Sequence, residues 1–347
     1  MSIKKLAYTR LLEIGLPKPR HDDWMFFPKA SLEKMEILPS DAEKSESLNA
    51  SFDLGIETEK NVAALLPLIR TQKTFLKTVE AKSQEIGMLK ARDDFSHTIF
   101  NIGNEAQASL EIVDNKNQHP FNAERLDFFL GEGAELELFF SNPPQQNELF
   151  FRHIRIVAAA NASVKIYGFQ QNTGTYRHSF DIILNGEKAN ADFRLLNVVG
   201  SGTQAHYHLI LRQNAPHTQS NQLVRHLLNG NAHVSYDGAV HVAKDCTQAN
   251  SAQLINSILL SEESRVSIKP VLKIYHDDVE CTHGSTCGEL DAESLYYLES
   301  RGIEMKKAEQ ILLQNFATVV FSGLDSSIGV KRMMESLTHL FEKTSER

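Results

Sequence analysis

Cysteine is scarce in this sequence. Only Cys246, Cys281 and Cys287 occur among 347 residues, an odd number that cannot form a fully paired disulfide framework. Chains with so little cysteine are typical of reducing compartments, so we expect a cytoplasmic protein. Hydrophobic residues nevertheless make up 41% of the chain, which is enough for a packed core and excludes a disordered polypeptide.

The sequence also lacks long apolar runs and an excess of positive charge. No segment approaches the roughly 18 apolar residues of a transmembrane helix. The N-terminal stretch MSIKKLAYTRLLEIGLP has no apolar run long enough for a signal peptide. With 36 Lys and Arg against 44 Asp and Glu, the formal charge is −8, and no basic block stands out. We therefore expect a soluble chain with neither a membrane nor a nucleic-acid partner.

A nucleotide-binding motif is absent as well. The pattern GxxxxGK[ST] does not occur, so we expect no ATP to be bound or hydrolysed by this chain through a P-loop. The glycine pairs in GEGAEL and GSGTQAH lack the full dinucleotide spacing. We interpret both segments as turns.

Helical periodicity is confined to the two ends of the chain. It covers residues 6–14 and about residues 62–83, and it returns after Asp291 in the segments DAESLYYLESRG, EMKKAEQILLQNFATVVFSG and IGVKRMMESLTHLFEK. Asp291 is a candidate N-cap, and Gly302 would end the first of these C-terminal helices. We predict an N-terminal helical and irregular region over residues 1–85, a β-rich core over residues 86–288 and a C-terminal helical domain over residues 289–347.

The central region alternates apolar and polar residues with the period of a β-strand. One small pattern recurs in it: alanine or serine followed by apolar residues two and four positions later. It starts at Ala134, Ala162, Ala191, Ala232 and Ser264, with start-to-start separations of 28, 29, 41 and 32 residues by subtraction. Each unit has one apolar face that it cannot bury alone, so stacked coils of a β-solenoid are predicted. The unequal spacing leaves an antiparallel β-sandwich as the alternative.

Histidines cluster between residues 202 and 241. His206 and His208 would share one face of a strand, since side chains alternate with period two. A metal site there is conceivable, but no cysteine or carboxylate falls at ligand spacing beside them. We favour a structural or solvated role for these histidines.

The segment KIYHDDVECTHGSTCGELD carries the strongest candidate chemistry. If residues 272–283 form a strand, Cys281 and His283 lie on one side, roughly 6.6 Å apart along the strand. Thiolate and imidazole suit zinc or iron, and His283 could equally act as a base to the thiol. Turns at the nearby glycines would bring Cys287 back to the pair, and His276 could add a further donor. The plain alternative is a buried cysteine beside a satisfied histidine, because two or three ligands do not complete a closed site.

The same region resembles the SufB/SufD family of iron–sulfur cluster assembly proteins, and within it the SufD branch. The HGSTCGELD stretch favours that branch, as does the presence of only one cysteine upstream, Cys246. The matching positions form a nearly contiguous run, with a second group near the N-terminus. They are Lys269, Pro270, Leu272, Ile274, Tyr275, Asp277, Asp278, Val279, Cys281, His283, Gly284, Thr286, Gly288, Leu290, Asp291, Tyr297, Leu298, Ser300, Arg301, Gly302 and Ile303, with Gln253, Leu259, Leu260 and Ser261 upstream and Gly15, Leu16, Pro17, Arg20, His21 and Trp24 near the start.

The resemblance implies a scaffold rather than an enzyme. It implies a right-handed parallel β-helix core between helical ends, a SufB-like β-helix subunit as partner, and a SufC-like ABC ATPase bound to the C-terminal helical region. The residues expected to contact the ATPase are Tyr297, Arg301, Gly302, Ile311 and Phe316. Iron or a nascent iron–sulfur cluster would be held only transiently, in the complex, with His283 and Cys281 as ligands and Cys287 and His276 as further candidates. An isolated chain could form a homodimer through the β-edge that the SufB-like subunit would otherwise occupy.

Two departures from the family pattern fall within the segment itself. Cys287 occupies a position where a small aliphatic residue is expected, and His276 one where alanine or serine is expected. Either could be an extra ligand or carry no role. Two other functions stay open from the sequence: a carbohydrate-active β-helix enzyme and a metal-free structural dimer.

Overall fold

The computed structural model describes residues 2–17, 24, 26–28, 52–90, 94–113, 121–141, 149–171, 174–324 and 330–338 apart from 332 and 336. Within them, sixteen strands form two eight-stranded sheets, and every strand pairing is parallel. Odd-numbered strands build sheet A and even-numbered strands build sheet B, in chain order. The prediction of a β-solenoid with helices at both ends is confirmed, and the antiparallel sandwich is excluded.

The strands are short and regular, and each coil contributes one to each sheet. Their bounds are β1 Thr74–Val79, β2 Gln84–Lys90, β3 Phe95–Ile102, β4 Gln107–Val113, β5 Phe121–Leu130, β6 Glu135–Ser141, β7 Leu149–Ala158, β8 Ser163–Gln170, β9 Gly174–Leu184, β10 Asn190–Val199, β11 Thr203–Gln213, β12 Gln219–Leu228, β13 His233–Val242, β14 Ala249–Leu259, β15 Arg265–Ile274 and β16 Val279–Gly288.

Side chains alternate between the two faces of each strand, and the inward-facing ones fill the lumen of the solenoid. Apolar side chains from both sheets form one continuous buried cluster, in which like residues stack from coil to coil. Phe100 and Phe128, for example, lie with ring centroids 4.7 Å apart and planes 13° from parallel. Leu138, Ile166 and Phe193 occupy one column of sheet B in register. The recurring pattern found in the sequence is therefore the lumen-facing start of a strand, in either sheet.

A left-handed turn residue recurs once in every coil, just before a strand of sheet B. These residues have positive φ angles of 54–60° at the non-glycine positions and 65° at Gly133. Each donates its backbone N–H to a carbonyl of the next coil, as Asn161 does to Glu187 at 2.9 Å. The turn residues are Lys82, Glu105, Gly133, Asn161, Lys188, His217 and Gln248. Their spacing fixes the length of a coil.

The N-terminal part packs on the outer face of sheet A. Helix α1 spans Ile3–Ile14, a short 3₁₀ turn spans Ile56–Thr58, and helix α2 spans Val62–Arg70. The sequence prediction of a helix to about residue 83 is wrong, because the chain leaves the helix at Thr71 and enters β1. β1 belongs to the solenoid through its pairing with β3, which local periodicity cannot reveal.

Buried charged side chains connect this N-terminal part, called the N-terminal cap below, to the outer face of sheet A. Arg125, on the outer face of β5, donates to both carboxylate oxygens of Asp127 at 2.7 and 2.8 Å and to the carbonyl oxygens of Leu54 and Ala64. His97 lies 2.9 Å from the same carboxylate. Neither Arg125 nor Asp127 has any exposed side-chain surface. The guanidinium and the hydrogen bonds to its carboxylate hold the pKa of Asp127 far below its ordinary value, against the opposing effect of burial.

The C-terminal part packs on the outer face of sheet B through residues that follow its first helix. Helix α3 spans Ala292–Ser300, helix α4 spans Met305–Thr318, and a 3₁₀ turn covers Val319–Phe321. Helical residues between 330 and 338 follow. Asp291 caps α3 by accepting from the backbone N–H of Ser294 at 2.8 Å, as predicted. In the described parts of the chain, every helix is too short or too polar to cross a bilayer.

Candidate functional site

The last coil leaves both sheets with an open edge. β15 ends sheet A and β16 ends sheet B, and no further strand pairs with either among the described residues. An unpaired parallel strand presents a row of free backbone N–H and C=O groups to any chain that approaches it. Ile274 and Tyr275, 40% and 62% exposed, lie where the two strands meet. This end of the solenoid is therefore suited to pairing with a strand of another chain.

A tight turn joins the two strands, so the predicted single strand over residues 272–283 is divided. His276 accepts the backbone N–H of Asp278 on Nδ1 at 3.0 Å, which stabilises the turn. The carbonyl oxygen of Asp278 accepts from the backbone N–H of Gln248 in the preceding coil at 2.7 Å, and its carboxylate accepts from the Thr247 hydroxyl. These bonds anchor the turn to the preceding coil.

Cys281 lies partly inside the end of the lumen. Together with Val279 it packs against the apolar core cluster, and in the ladder it is paired with Ser251. Burial raises the pKa of the Cys281 thiol, and a backbone hydrogen bond from Ser251 opposes that effect. A thiol must lose its proton before it can bind a metal ion. The isolated chain therefore presents a protonated thiol at neutral pH.

His283 lies two residues further along the same strand, with its side chain on the same face as that of Cys281. The side chain is exposed, and its neighbour in the ladder is the buried Gln253. Two residues of strand separate the two side chains by roughly 6.6 Å. Of the predicted residues, this pair is the one that the structure brings together at the edge.

The prediction that the chain turns back at Gly284 to bring Cys287 near the pair is wrong. Gly284 pairs with Leu254 and Gly288 with Ile258, so β16 runs straight through both glycines. Cys287 is exposed and lies four residues beyond His283, roughly 13 Å away along the strand. His276 lies in the turn before the strand. No group of three or more His, Cys, Asp or Glu that could hold a metal ion occurs in the described residues.

The predicted ATPase contacts fall into two groups. Tyr297 is 58% exposed, and the Arg301 guanidinium carbon lies 5.3 Å from its ring centroid, next to Gly302. Phe316 instead faces sheet B, where Arg225 lies 4.5 Å from its ring centroid and donates to its carbonyl oxygen at 2.5 Å. Ile311 is half-buried on the same helix. The first group is open to a partner, whereas Phe316 fastens the helix to the solenoid.

The clustered histidines have structural surroundings. His206 lies under the N-terminal cap, 4.9 Å from Phe27 between ring centroids and 2.6 Å from the Ser235 hydroxyl. His208 lies 3.3 Å from the Asp237 carboxylate. Burial lowers the pKa of His206 well below its ordinary value. The expectation of a structural role fits both side chains.

Sequence reasoning missed the polar groups inside the lumen. Gln222 and Tyr236 are fully buried among apolar residues near the open end. Their only signal in the sequence is a polar residue where the alternation requires an apolar one. Gln253 was noticed, but for its match to the family pattern and not for its place in the lumen.

The sequence of this chain is similar to those of known proteins. The profile of the family described as "SUF system FeS cluster assembly, SufBD core domain" matches residues 87–316. The Escherichia coli iron–sulfur cluster assembly protein SufD is 27% identical over 225 residues, which cover 64% of this chain and 52% of that protein. A SufBD family protein of Synechocystis is 29% identical over 213 residues, 60% of this chain and 46% of that protein. The chain spans about half the length of these relatives.

Proposed function

Because the chain belongs to the SufBD family of iron–sulfur cluster assembly proteins, we propose that it is a SufD-like scaffold subunit whose β16 edge offers His283 and Cys281 to iron. Two side-chain donors are an incomplete set for a tetrahedral metal site. The remaining donors would come from a second β-helix subunit of the SufB type, paired with the open edge. The chain itself would be a scaffold and not an enzyme.

The observation that carries this proposal is the position of the imidazole. His283 is exposed on the edge strand, while the neighbouring thiol is half-buried at the mouth of the lumen. A satisfied structural histidine would be buried and bonded, as His206 is. An exposed imidazole on an unpaired edge is instead available to a ligand that arrives together with a partner chain.

Iron would be the cargo of this site. His283 would bind as a neutral imidazole, and Cys281 as a thiolate formed when iron displaces the thiol proton. Cys287, further along the same edge, and His276, in the preceding turn, are proposed as donors only in the assembled complex. The partner's edge would have to bridge the distance that separates them from the pair.

A SufC-like ATPase would bind the exposed surface around Tyr297 and Arg301. This surface lies on α3, which packs on α4, and α4 and the turn after it are tied to sheet B by Arg225 at Phe316 and by Arg194, which donates to the carbonyl oxygen of Val320 at 3.1 Å. A movement of the helices driven by ATP hydrolysis in the partner would therefore reach the solenoid through these bonds. Such coupling requires two helix positions that differ between nucleotide states.

The decisive experiment is anaerobic reconstitution of the complex of this chain with its SufB-like and SufC-like partners. We expect His283→Ala to lower the iron and sulfide bound per complex. His241→Ala serves as the matched control, because it removes a half-buried imidazole from sheet A. Unchanged cluster formation in His283→Ala would refute the site.

Co-purification from the native source separates the alternatives. Recovery of a P-loop ATPase and a second β-helix subunit with this chain supports the scaffold. A metal-free structural dimer would give a homodimer paired through the same edge, with no iron in any assembly. Turnover of polysaccharides would instead indicate the carbohydrate-active enzyme.

A further inference from the structure

Three buried side chains form a polar cluster inside the lumen, one coil from the open end. The Tyr236 hydroxyl donates to Gln222 Oε1 at 3.1 Å, and Gln253 Nε2 donates to the same oxygen at 2.7 Å. The exposed fractions of Gln222, Tyr236 and Gln253 are 0%, 0% and 2%. Gln222 and Gln253 are neighbours in the β12–β14 ladder, so the cluster is built across two coils.

A missing side chain on the opposite sheet makes room for this cluster. Gly238, on β13, faces the lumen, and a Cβ atom there would lie 2.3 Å from Gln253 Nε2 and 2.6 Å from the Tyr236 ring. The amide of Gln253 is therefore confined between Gln222, Tyr236 and the backbone of Gly238. Its nitrogen, Nε2, donates its hydrogen bond to Gln222 on β12.

The carbonyl oxygen of the same amide has no partner. Gln253 Oε1 is buried and makes no hydrogen bond within the described residues. A buried acceptor of this kind is unfavourable unless a donor reaches it. The next residue in the ladder on the β16 side is His283, whose side chain points to the same face of the sheet.

We propose that Gln253 is a positioning residue for His283, and this inference rests on the proposed role of His283 as an iron ligand. The Gln253 carbonyl accepts a hydrogen bond from one ring N–H of the imidazole, and the other ring nitrogen then keeps its lone pair for the metal. A carbonyl bonded to one nitrogen of a ligating histidine fixes the tautomer and the direction of the ring. The Tyr236–Gln222–Gln253 cluster would thereby orient the exposed ligand from inside the solenoid.

The tautomer of His283 can be measured without iron. We would record long-range ¹H–¹⁵N spectra of the full chain with labelled histidine, at about pH 8.5, where an imidazole of ordinary pKa is neutral. The His283 signal is identified by its loss in His283→Gln. We expect one tautomer to be favoured by roughly fivefold, as one net hydrogen bond provides. In Gln253→Leu the two ring nitrogens should shift toward averaged values, and in Gln253→Glu, which keeps an acceptor, the preference should return.

Asn256→Ala is the matched control, since Asn256 donates to Thr286 at 2.7 Å and so joins the same two strands without reaching His283. It should leave the tautomer unchanged. Should Gln253→Leu fail to fold, Gln253→Asn retracts the amide by one methylene and should also lose the preference. Equal tautomers in the unsubstituted chain, or an unchanged preference in the folded Gln253 variants, would overturn the proposal. Loss of cluster formation in His283→Ala with no tautomer effect would keep the iron site and remove only the role of Gln253.

Discussion

Acid should destabilise this protein partly through one histidine inside the lumen, His226. Its Nδ1 lies 2.8 Å from Asn197 Nδ2, and Asn197 Oδ1 accepts from the Tyr207 hydroxyl at 2.5 Å. The Tyr207 bond fixes the amide so that its N–H₂ donates to the imidazole. A proton on Nδ1 would face that donor, in a lumen that already disfavours charge. Burial accordingly lowers the pKa of His226 to about 3.

The sign and size of the effect follow from linkage. The unfolded chain binds a proton at this residue below about pH 6.5, whereas the native chain does not until about pH 3. Stability from the neutral imidazole is therefore complete above pH 6.5 and declines as the pH falls toward 3. Each pH unit well inside this window costs on the order of 1 kcal/mol, so lowering the pH from about 7 to about 4.5 removes roughly 2–3 kcal/mol through this group.

Urea unfolding at about pH 7 and pH 4.5 tests this value when the unsubstituted chain is compared with His226→Gln. The variant should lose roughly 2–3 kcal/mol less on acidification, because glutamine does not titrate. Val224→Ala, on the same strand and also buried, should lower stability by similar amounts at both pH values. An equal acid-induced loss in the unsubstituted chain and His226→Gln would refute the reasoning.

Two further predictions concern buried charge and thiol access. Asp127→Ala should destabilise the chain by roughly 3–5 kcal/mol, because it leaves the buried Arg125 guanidinium without its carboxylate partner. Lys77→Ala, which breaks a half-exposed ion pair with Glu85, should change the free energy of unfolding by less than about 1 kcal/mol. Similar losses for the two variants in thermal or urea unfolding would contradict this contrast. Iodoacetamide at neutral pH should modify the exposed Cys287 before the half-buried Cys281 and the buried Cys246. Mass spectrometry of tryptic peptides measures the order of modification. Modification of Cys246 before Cys287 would contradict the described packing.

The repeat was visible in the sequence because the lumen imposes it. Separations of 28 and 32 residues each equal one coil between strands of the same sheet, whereas the value of 29 is a coil of 27 residues plus a start two positions later in the ladder, since Ala191 pairs with Val164. The irregular value of 41 arises because the pattern passes from β10 in sheet B to β13 in sheet A, so it spans more than one coil. Strand content and coil length could thus be predicted, whereas assignment to a sheet required the pairing.

The candidate site was predictable in its residues and less so in its geometry. The alternation in VECTH correctly placed Cys281 and His283 on one face, since side-chain direction in a strand is a local property. The path of the chain after Gly284 is not determined by the local sequence. Glycine permits a turn there, but pairing with β14 keeps the strand extended. The proposed role of Gln253 depends on Gln222 in the preceding coil and on Gly238 on the facing strand of the same coil, and spacing in the sequence connects neither of them to it.

The all-parallel order of the strands has a consequence for any symmetric assembly. Two identical copies related by a two-fold axis through the β16 edges would meet with their strands running in opposite directions. Such a homodimer would contain an antiparallel ladder at its centre and slanted parallel hydrogen bonds everywhere else. Isotope-edited infrared spectra could therefore distinguish the junction from the coils on either side of it.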